Sequence, residues 1–238
     1  TAGSVKIDGS NLGSALAGSI AATRLSANTT AGFSVVSFTG TAANATVGHG
    51  LSEAPTLVIN KVIGSATQWY VNAVPVSDTS NKVLNLNDTN GLDAGTLYYN
   101  DTNPTSTVVS LGTYGNLNST GLNIMYCFHS VEGYSKVGSY TGANSTDSNF
   151  LYCGFKPAMV IMKNAGATEQ WVMYDNKRNA YNVVDDRLRP NSDAVEAVHG
   201  ALDFLSNGIK IRSADISAPQ SYMYIAFAES PFKYSNAR

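Results

Sequence analysis

The sequence predicts an all-β fold: two tandem β-sandwich, jelly-roll-like modules related by internal duplication, behind an extended N-terminal arm. Three observations predict it. Only 13% of residues are charged, against a norm of about 25%, so the surface is polar through Ser, Thr, Asn and Gly. That composition disfavours long solvent-facing helices, which use Lys, Glu and Ala, and favours strands and tight turns. Short runs of alternating apolar and small polar residues recur along the chain. Finally, the chain repeats itself.

A shift of 102 residues lays "SFTG" (37–40) on "SYTG" (139–142), Pro55 on Pro157, "LVINK" on "MVIMK", Gly64 on Gly166 and "QW" on "QW". About 10 of the 33 pairs from Ser37 to Trp69 are identical without a gap, which marks the match as a repeat. The ends match after smaller shifts: "VVSL" (108–111) with "GIKI" (208–211), and "IMYCF" (124–128) with "MYIAF" (223–227). Each copy has the length of an independent domain, far beyond a solenoid repeat. The expected organisation is an N-terminal arm at 1–32, module 1 at 33–134 and module 2 at 135–238. The Gly/Ala/Ser/Thr-rich arm buries little by itself and is expected to be ordered when laid on another surface. The join at 128–142 has no Pro/Ser-rich tether, so the last strand of one module is expected to feed the first strand of the next.

The elements follow in order. "FSVVSFTG" (33–40) alternates like a half-buried strand. "TLVIN" and "AMVIMK" are short apolar runs suited to central strands, and "QWYVNAV" and "QWVMYD" follow glycine turns at "GSAT" and "GATE". Each pair reads as a hairpin. "LDFLSNGIKIR" (202–212) is another, with Asn207-Gly208 as the turn that tolerates positive φ. "SYMYIAFAE" (221–229) is a strand. The one helical expectation is "SDAVEAVHGAL" (192–202), capped by Ser192 or Asp193. Trp69 and Trp171 stand at equivalent places. Repetition suits either a core requirement or a doubled sugar-stacking platform; core is the expectation, because each Trp begins an apolar alternation.

Net charge is −2, from 15 basic and 17 acidic residues, without a basic run. Phosphate neutralisation needs a positive face, so nucleic-acid binding is not expected. No run reaches the roughly 18 apolar residues that span a bilayer, so membrane insertion is not expected. "SALAGSIAA" lacks the basic start of a signal peptide. Cys127 and Cys153 sit in apolar strand-like runs and are expected to be buried free thiols, although one bridge would be possible. The sequons at Asn28, Asn44, Asn87, Asn100, Asn118 and Asn144 number about what chance gives in a chain this rich in Asn, Ser and Thr.

Candidate chemistry is sparse. His49, His129 and His199 form no metal-ligand spacing and read as locally hydrogen-bonded or solvated. Asp185 and Asp186 are adjacent on a strand, should point to opposite faces, and read as an ion-pair cluster with Arg187 and Arg189. "NLNDTNGLD" (85–93) lacks the acidic first ligand and terminal Glu of a calcium loop, and reads as a polar loop. A depolymerase would need two converging carboxylates, for which Glu169, Asp175 and Asp185 are the candidates. No catalytic, cofactor-binding or metal-binding residue is assigned, and no cofactor is expected.

"GFSVVSFTGTAANATVGHGL…AP" (32–55), "VEGYSKVGSYTGANST" (131–146), "GFKPAMVIMK" (154–163), "LDFLSNGIKIR" (202–212) and "AFAESPFKYSNAR" (226–238) resemble a domain family of unknown function. That family is found in virion structural proteins of marine tailed bacteriophages, often at the C-terminal end of tail-fibre-like or appendage proteins. The resemblance runs from about residue 28 to the end and brings no catalytic residues with it. It implies a non-enzymatic virion structural protein on the particle surface, either capsid decoration or knob, or tail-fibre or appendage component. The implied partners are other virion proteins and further copies of this chain, in symmetric oligomers. The alternative is a host-receptor or glycan-binding module of a tail fibre.

Overall fold

The computed structural model describes residues 5–12, 16–77 and 80–231. Among these the protein is all-β, with several sheets, almost no helix and no barrel. It divides into two compact units, Thr1–Leu86 with Leu92–His129, and Asn87–Gly91 with Ser130–Arg238. The second unit therefore includes a five-residue stretch of sequence that interrupts the first. Residues 232–238, the end of the last family-like stretch, lie outside the described residues.

In the first unit the strands are β1 (Val5–Ile7), β2 (Ser10–Asn11), β3 (Ala22–Asn28), β4 (Phe33–Thr39), β5 (Ala45–Gly48), β6 (Leu57–Val62), β7 (Tyr70–Ala73), β8 (Lys82–Asn85), β9 (Asp93–Ala94), β10 (Val108–Leu111) and β11 (Leu122–Phe128), with one helical turn at Val74–Ser77. Nine form a sheet in the order β2-β1-β3-β4-β11-β6-β7-β8-β9, and β5 pairs with β10. Within the stretch read as an arm, β3 runs antiparallel along β4 and β1 runs parallel to β3. Period-two alternation decides which face is buried. In β4, Ser34, Val36 and Phe38 are buried while Phe33, Val35 and Ser37 are half-buried. Val36, Phe38, Met125 and Cys127 of the large sheet share one apolar cluster with Val47, Val109 and Leu111 of the β5–β10 pair. Each such buried side chain contributes about 1.5–3 kcal/mol.

The second unit has β12 (Ser135–Thr141), β13 (Phe150–Tyr152), β14 (Pro157–Asn164), β15 (Val172–Asp175), β16 (Val184–Arg187), β17 (Ala197–Leu205), β18 (Gly208–Ile211) and β19 (Ser221–Ala228). They make two four-stranded sheets, β12-β19-β14-β15 and β13-β18-β17-β16. Their common core includes Val160, Met162 and Tyr222 from the first sheet and Leu151, Leu202, Phe204 and Ile209 from the second, a sandwich-like arrangement.

The order β4-β11-β6-β7 in the first unit corresponds to β12-β19-β14-β15 in the second. Register corresponds too. Ile59 pairs with Tyr126 and Val71; Ile161 pairs with Ile225 and Met173. Val36 pairs with Met125, and Gly138 with Tyr224. The glycines of "SFTG" and "SYTG" have the same physical cause. A Cβ on Gly40 would run into the Ser119 carbonyl, and one on Gly142 into the backbone of Ser217 and Ala218.

Several expectations need correction. Residues 192–202 are not helical. β17 begins at Ala197, because the segment is held between β16 and β18 by cross-strand pairing, which outweighs weak local propensity. Ser192 Oγ accepts from Ala194 N–H at 3.1 Å in a local turn instead of capping a helix. In the 202–212 hairpin Leu205 pairs with Gly208, so the loop is Ser206-Asn207 and Gly208 opens the strand. A Cβ at Gly208 would strike the carbonyl of Leu151 on neighbouring β13, so close backbone approach requires this glycine. The Gln-Trp pairs lie in the loops before β7 and β15, not in the strands. Trp171 is 1% exposed, as a core residue should be. Trp69 is only half-buried, stacked on Tyr126 with ring centroids 6.3 Å apart, so the inward expectation fails for it in part. Cys127 and Cys153 are free and buried, and burial pushes both thiols up to about 12.

Candidate functional site

Both units hold a lysine that enters the loop following β6 or β14. Lys61 Nζ donates to the carbonyls of Val62 and Ser65 and to Thr67 Oγ1 at 2.6–3.0 Å. Lys163 Nζ donates to the carbonyls of Asn164 (2.8 Å), Ala167 (3.2 Å) and Thr89 (3.0 Å). Lys163 is fully buried, and burial lowers its ammonium to about 8 against the opposing pull of Glu169 and Asp88. An ammonium has three protons, and here three carbonyls take them, so this lysine is a loop clasp. Glu169 N–H also donates to Thr89 O at 2.9 Å, and Asn191 Nδ2 to Asp88 O at 3.1 Å, which ties Asn87–Gly91 into the second unit.

Next to this clasp the second unit has a cavity of about 330 Å³. Its polar wall includes Glu169 of the loop, Arg187 at the end of β16, Arg189 just beyond, His199 of β17, Asp215 and Tyr222. A strand irregularity places His199. Between the pairs Val184–Leu202 and Asp186–Val198, the three residues His199, Gly200 and Ala201 of β17 face Asp185 alone. Such a bulge re-aims side chains. It depends on Gly200, whose φ of 74° is left-handed and whose Cβ would meet the Tyr174 hydroxyl. That hydroxyl donates to the His199 carbonyl at 3.0 Å, and burial pushes the Tyr174 phenol far above its ordinary range.

One nitrogen holds the centre of the arrangement. His199 Nδ1 is 3.0 Å from Arg187 Nη1 and 3.2 Å from Asp215 Oδ2. A guanidinium only donates and a carboxylate only accepts, so Nδ1 accepts from Arg187 in the tautomer that leaves it bare and donates to Asp215 in the tautomer that carries its proton there. Arg187 is 8% exposed and its Nε has no hydrogen-bond partner. Among the described residues no carboxylate lies within ion-pair distance of Arg187 or Arg189. Tyr222 oxygen accepts from Asn164 Nδ2 and Ala218 N–H, both at 3.2 Å. Burial, then the Glu169 charge, pushes its hydroxyl up to about 12.

The residues singled out in the sequence distribute differently. Asp185 and Asp186 do not pair with Arg187 and Arg189. Both use Asn179, whose Oδ1 accepts their N–H groups at 3.1 and 2.8 Å and whose Nδ2 donates to Asp186 Oδ2 at 2.8 Å. Both carboxylates come to this one side chain, although alternation along β16 would send them to opposite faces. Asp175 accepts from Lys177 N–H, Arg178 N–H and Arg178 Nε at 2.7–3.0 Å, which holds its carboxyl below the usual range although burial opposes this. Glu169 alone of the three carboxylates proposed for a depolymerase lines the cavity. In the 85–93 loop Asp88 accepts from Thr89 N–H and Asn90 Nδ2, and Asp93 from the Tyr98 hydroxyl. Among the described residues no group of three or more His, Cys, Asp and Glu is placed to hold a metal. His49 is fully buried, with Nδ1 accepting from Leu51 N–H and Nε2 donating to Thr105 O, both at 3.1 Å. The sequence reading missed the cavity. The available signal was "RLR" at 187–189, two arginines on one side of an extended segment.

Fold and cavity define an all-β, sandwich-like protein with a mixed-charge cleft in its second unit. The chain belongs to the family described as a domain of unknown function, DUF7483, whose model matches residues 7–231. No curated protein and no solved structure matches it.

Proposed function

We propose that this chain is a non-enzymatic structural protein of a bacteriophage virion, displayed on the particle as a capsid decoration or knob or as a fibre or appendage component. Its two units are read as copies of one duplicated β-sandwich module. The observation that carries the reading is the shared four-strand framework, matched in strand order, register, backbone-limited glycine and loop-clasping lysine. What repeats is construction: the cavity residues Arg187 and His199 belong to the second unit alone. The resemblance of the quoted motifs to phage virion proteins supplies the setting. An antiserum against the purified chain, applied to particles from a lysate of the phage encoding it, tests this in negative-stain images. Label in regular copies on heads or tails supports it. Unlabelled particles, with a chain that fails to sediment with them, overturn it.

The cavity favours a second reading, a host-receptor or glycan-binding module. Its volume falls in the range of small-molecule sites, about 300–1,000 Å³. Binding of the fluorescently labelled chain to host cells, competed by soluble host envelope sugars, tests it; binding that no sugar competes counts against it.

A further inference from the structure

Among the described residues no carboxylate is in reach of the cavity's two guanidinium groups, and one of these is nine-tenths buried with an unpaired N–H. A buried cation without a counter-charge is costly, and such a charge is ordinarily met by an anion. Arg187 and Arg189 can present their N–H groups to one carboxylate or to a similar oxyanion. The same wall also holds two acceptor-only groups. Asp215 is 3.2 Å from His199 Nδ1 and accepts from Ser213 Oγ at 3.3 Å; Glu169 is exposed. A bare anion would be repelled by these carboxylates. A ligand that places an anionic group on the arginines and hydroxyl donors on Asp215 and Glu169 satisfies both. The volume has room for a single saccharide unit.

From this arrangement we infer that the cavity binds an acidic saccharide unit, with its carboxylate on Arg187 and Arg189 and its hydroxyls on Asp215 and Glu169. This rests on the glycan-binding reading and narrows it to one cavity and one class of sugar. Neither tryptophan is required, since Trp171 is buried and Trp69 belongs to the other unit.

Titration calorimetry of the full chain with glucuronate, glucose and inorganic sulfate tests the inference. Glucuronate is expected to bind with Kd of about 1 mM or tighter, and glucose and sulfate at least about tenfold more weakly. Because Arg187 is buried, Arg187→Gln can fail by unfolding. Arg189→Gln, at a half-exposed position, is therefore the deciding variant. It is expected to weaken glucuronate binding about tenfold or more while leaving the urea midpoint unchanged. Glucose bound as tightly as glucuronate would overturn the acidic ligand and leave a glycan site. Sulfate bound as tightly would reduce the cavity to a plain anion site. Unaltered binding by Arg189→Gln would place the ligand elsewhere. No binding of either sugar would remove this inference, while host-cell binding competed by other sugars would still stand for the broader reading.

Discussion

Lys163 Nζ donates at 3.0 Å to the carbonyl oxygen of Thr89, a residue 74 positions earlier in the chain. Lys61, its counterpart in the first unit, satisfies itself within its own loop and stays half-exposed. Lys163→Met would leave three carbonyls unpaired in a buried place, at a cost of about 1–3 kcal/mol. Lys61→Met is expected to cost under about 1 kcal/mol, because water can replace the amine at a half-exposed site. Urea unfolding of both variants checks the difference.

The same lysine predicts a pH response. Its folded value, about 8, lies below its ordinary 10.5. Between these values the unfolded chain binds more protons, so this group's contribution to stability rises as pH rises from about 8 and is lost as pH falls. Cys153 and the buried tyrosines pull the other way at higher pH, since burial raises them. The informative quantity is therefore wild-type stability minus that of Lys163→Met. It should increase between about pH 8 and 10, and a flat difference would contradict the assignment.

His49 gives an acid limit to the first unit. Burial, chiefly, lowers its imidazole below the ordinary 6.5, and the nearby His129 acts in the same direction. The native state therefore favours the neutral ring. Stability from this group is fully present above about pH 6.5 and falls as the unfolded chain takes up the proton, by at most about 1.4 kcal/mol per pH unit. Thermal melts from pH 7 to 5 should show this slope, reduced in His49→Gln.

Glycine substitutions separate two kinds of constraint. Gly40→Ala and Gly142→Ala drive a methyl group into backbone and should each cost about 1–3 kcal/mol. Gly64 has φ 78° with open space around the missing Cβ, so Gly64→Ala should cost about 1 kcal/mol from backbone strain alone. Chemical denaturation of the three variants ranks them.

Acrylamide should quench the half-exposed Trp69 and spare Trp171. The quenchable fraction of native fluorescence should disappear in Trp69→Phe and persist in Trp171→Phe. Equal quenching of both residues would contradict the burial described above.

The all-β class, the two buried free thiols and the run of central strands were legible in the order of the residues alone. These follow from composition and from an alternation of period two, which are properties of adjacent residues. The chain's 102-residue self-match lays Gly40 on Gly142, and a Cβ at either would run into backbone. The remaining features depend on residues distant in sequence. Local propensity allowed a helix at 192–202, and pairing with β16 and β18 made a strand of it. Adjacent Asp185 and Asp186 were expected on opposite faces, and both come to Asn179 in the folded chain. The bulge at His199–Ala201 of β17 set His199 beside Arg187 and Asp215, three residues from separate elements. Alternation along a strand records which face is buried, but not which distant strand lies alongside or where one residue is looped out. The cavity depends on that second kind of information, and only the folded chain carries it.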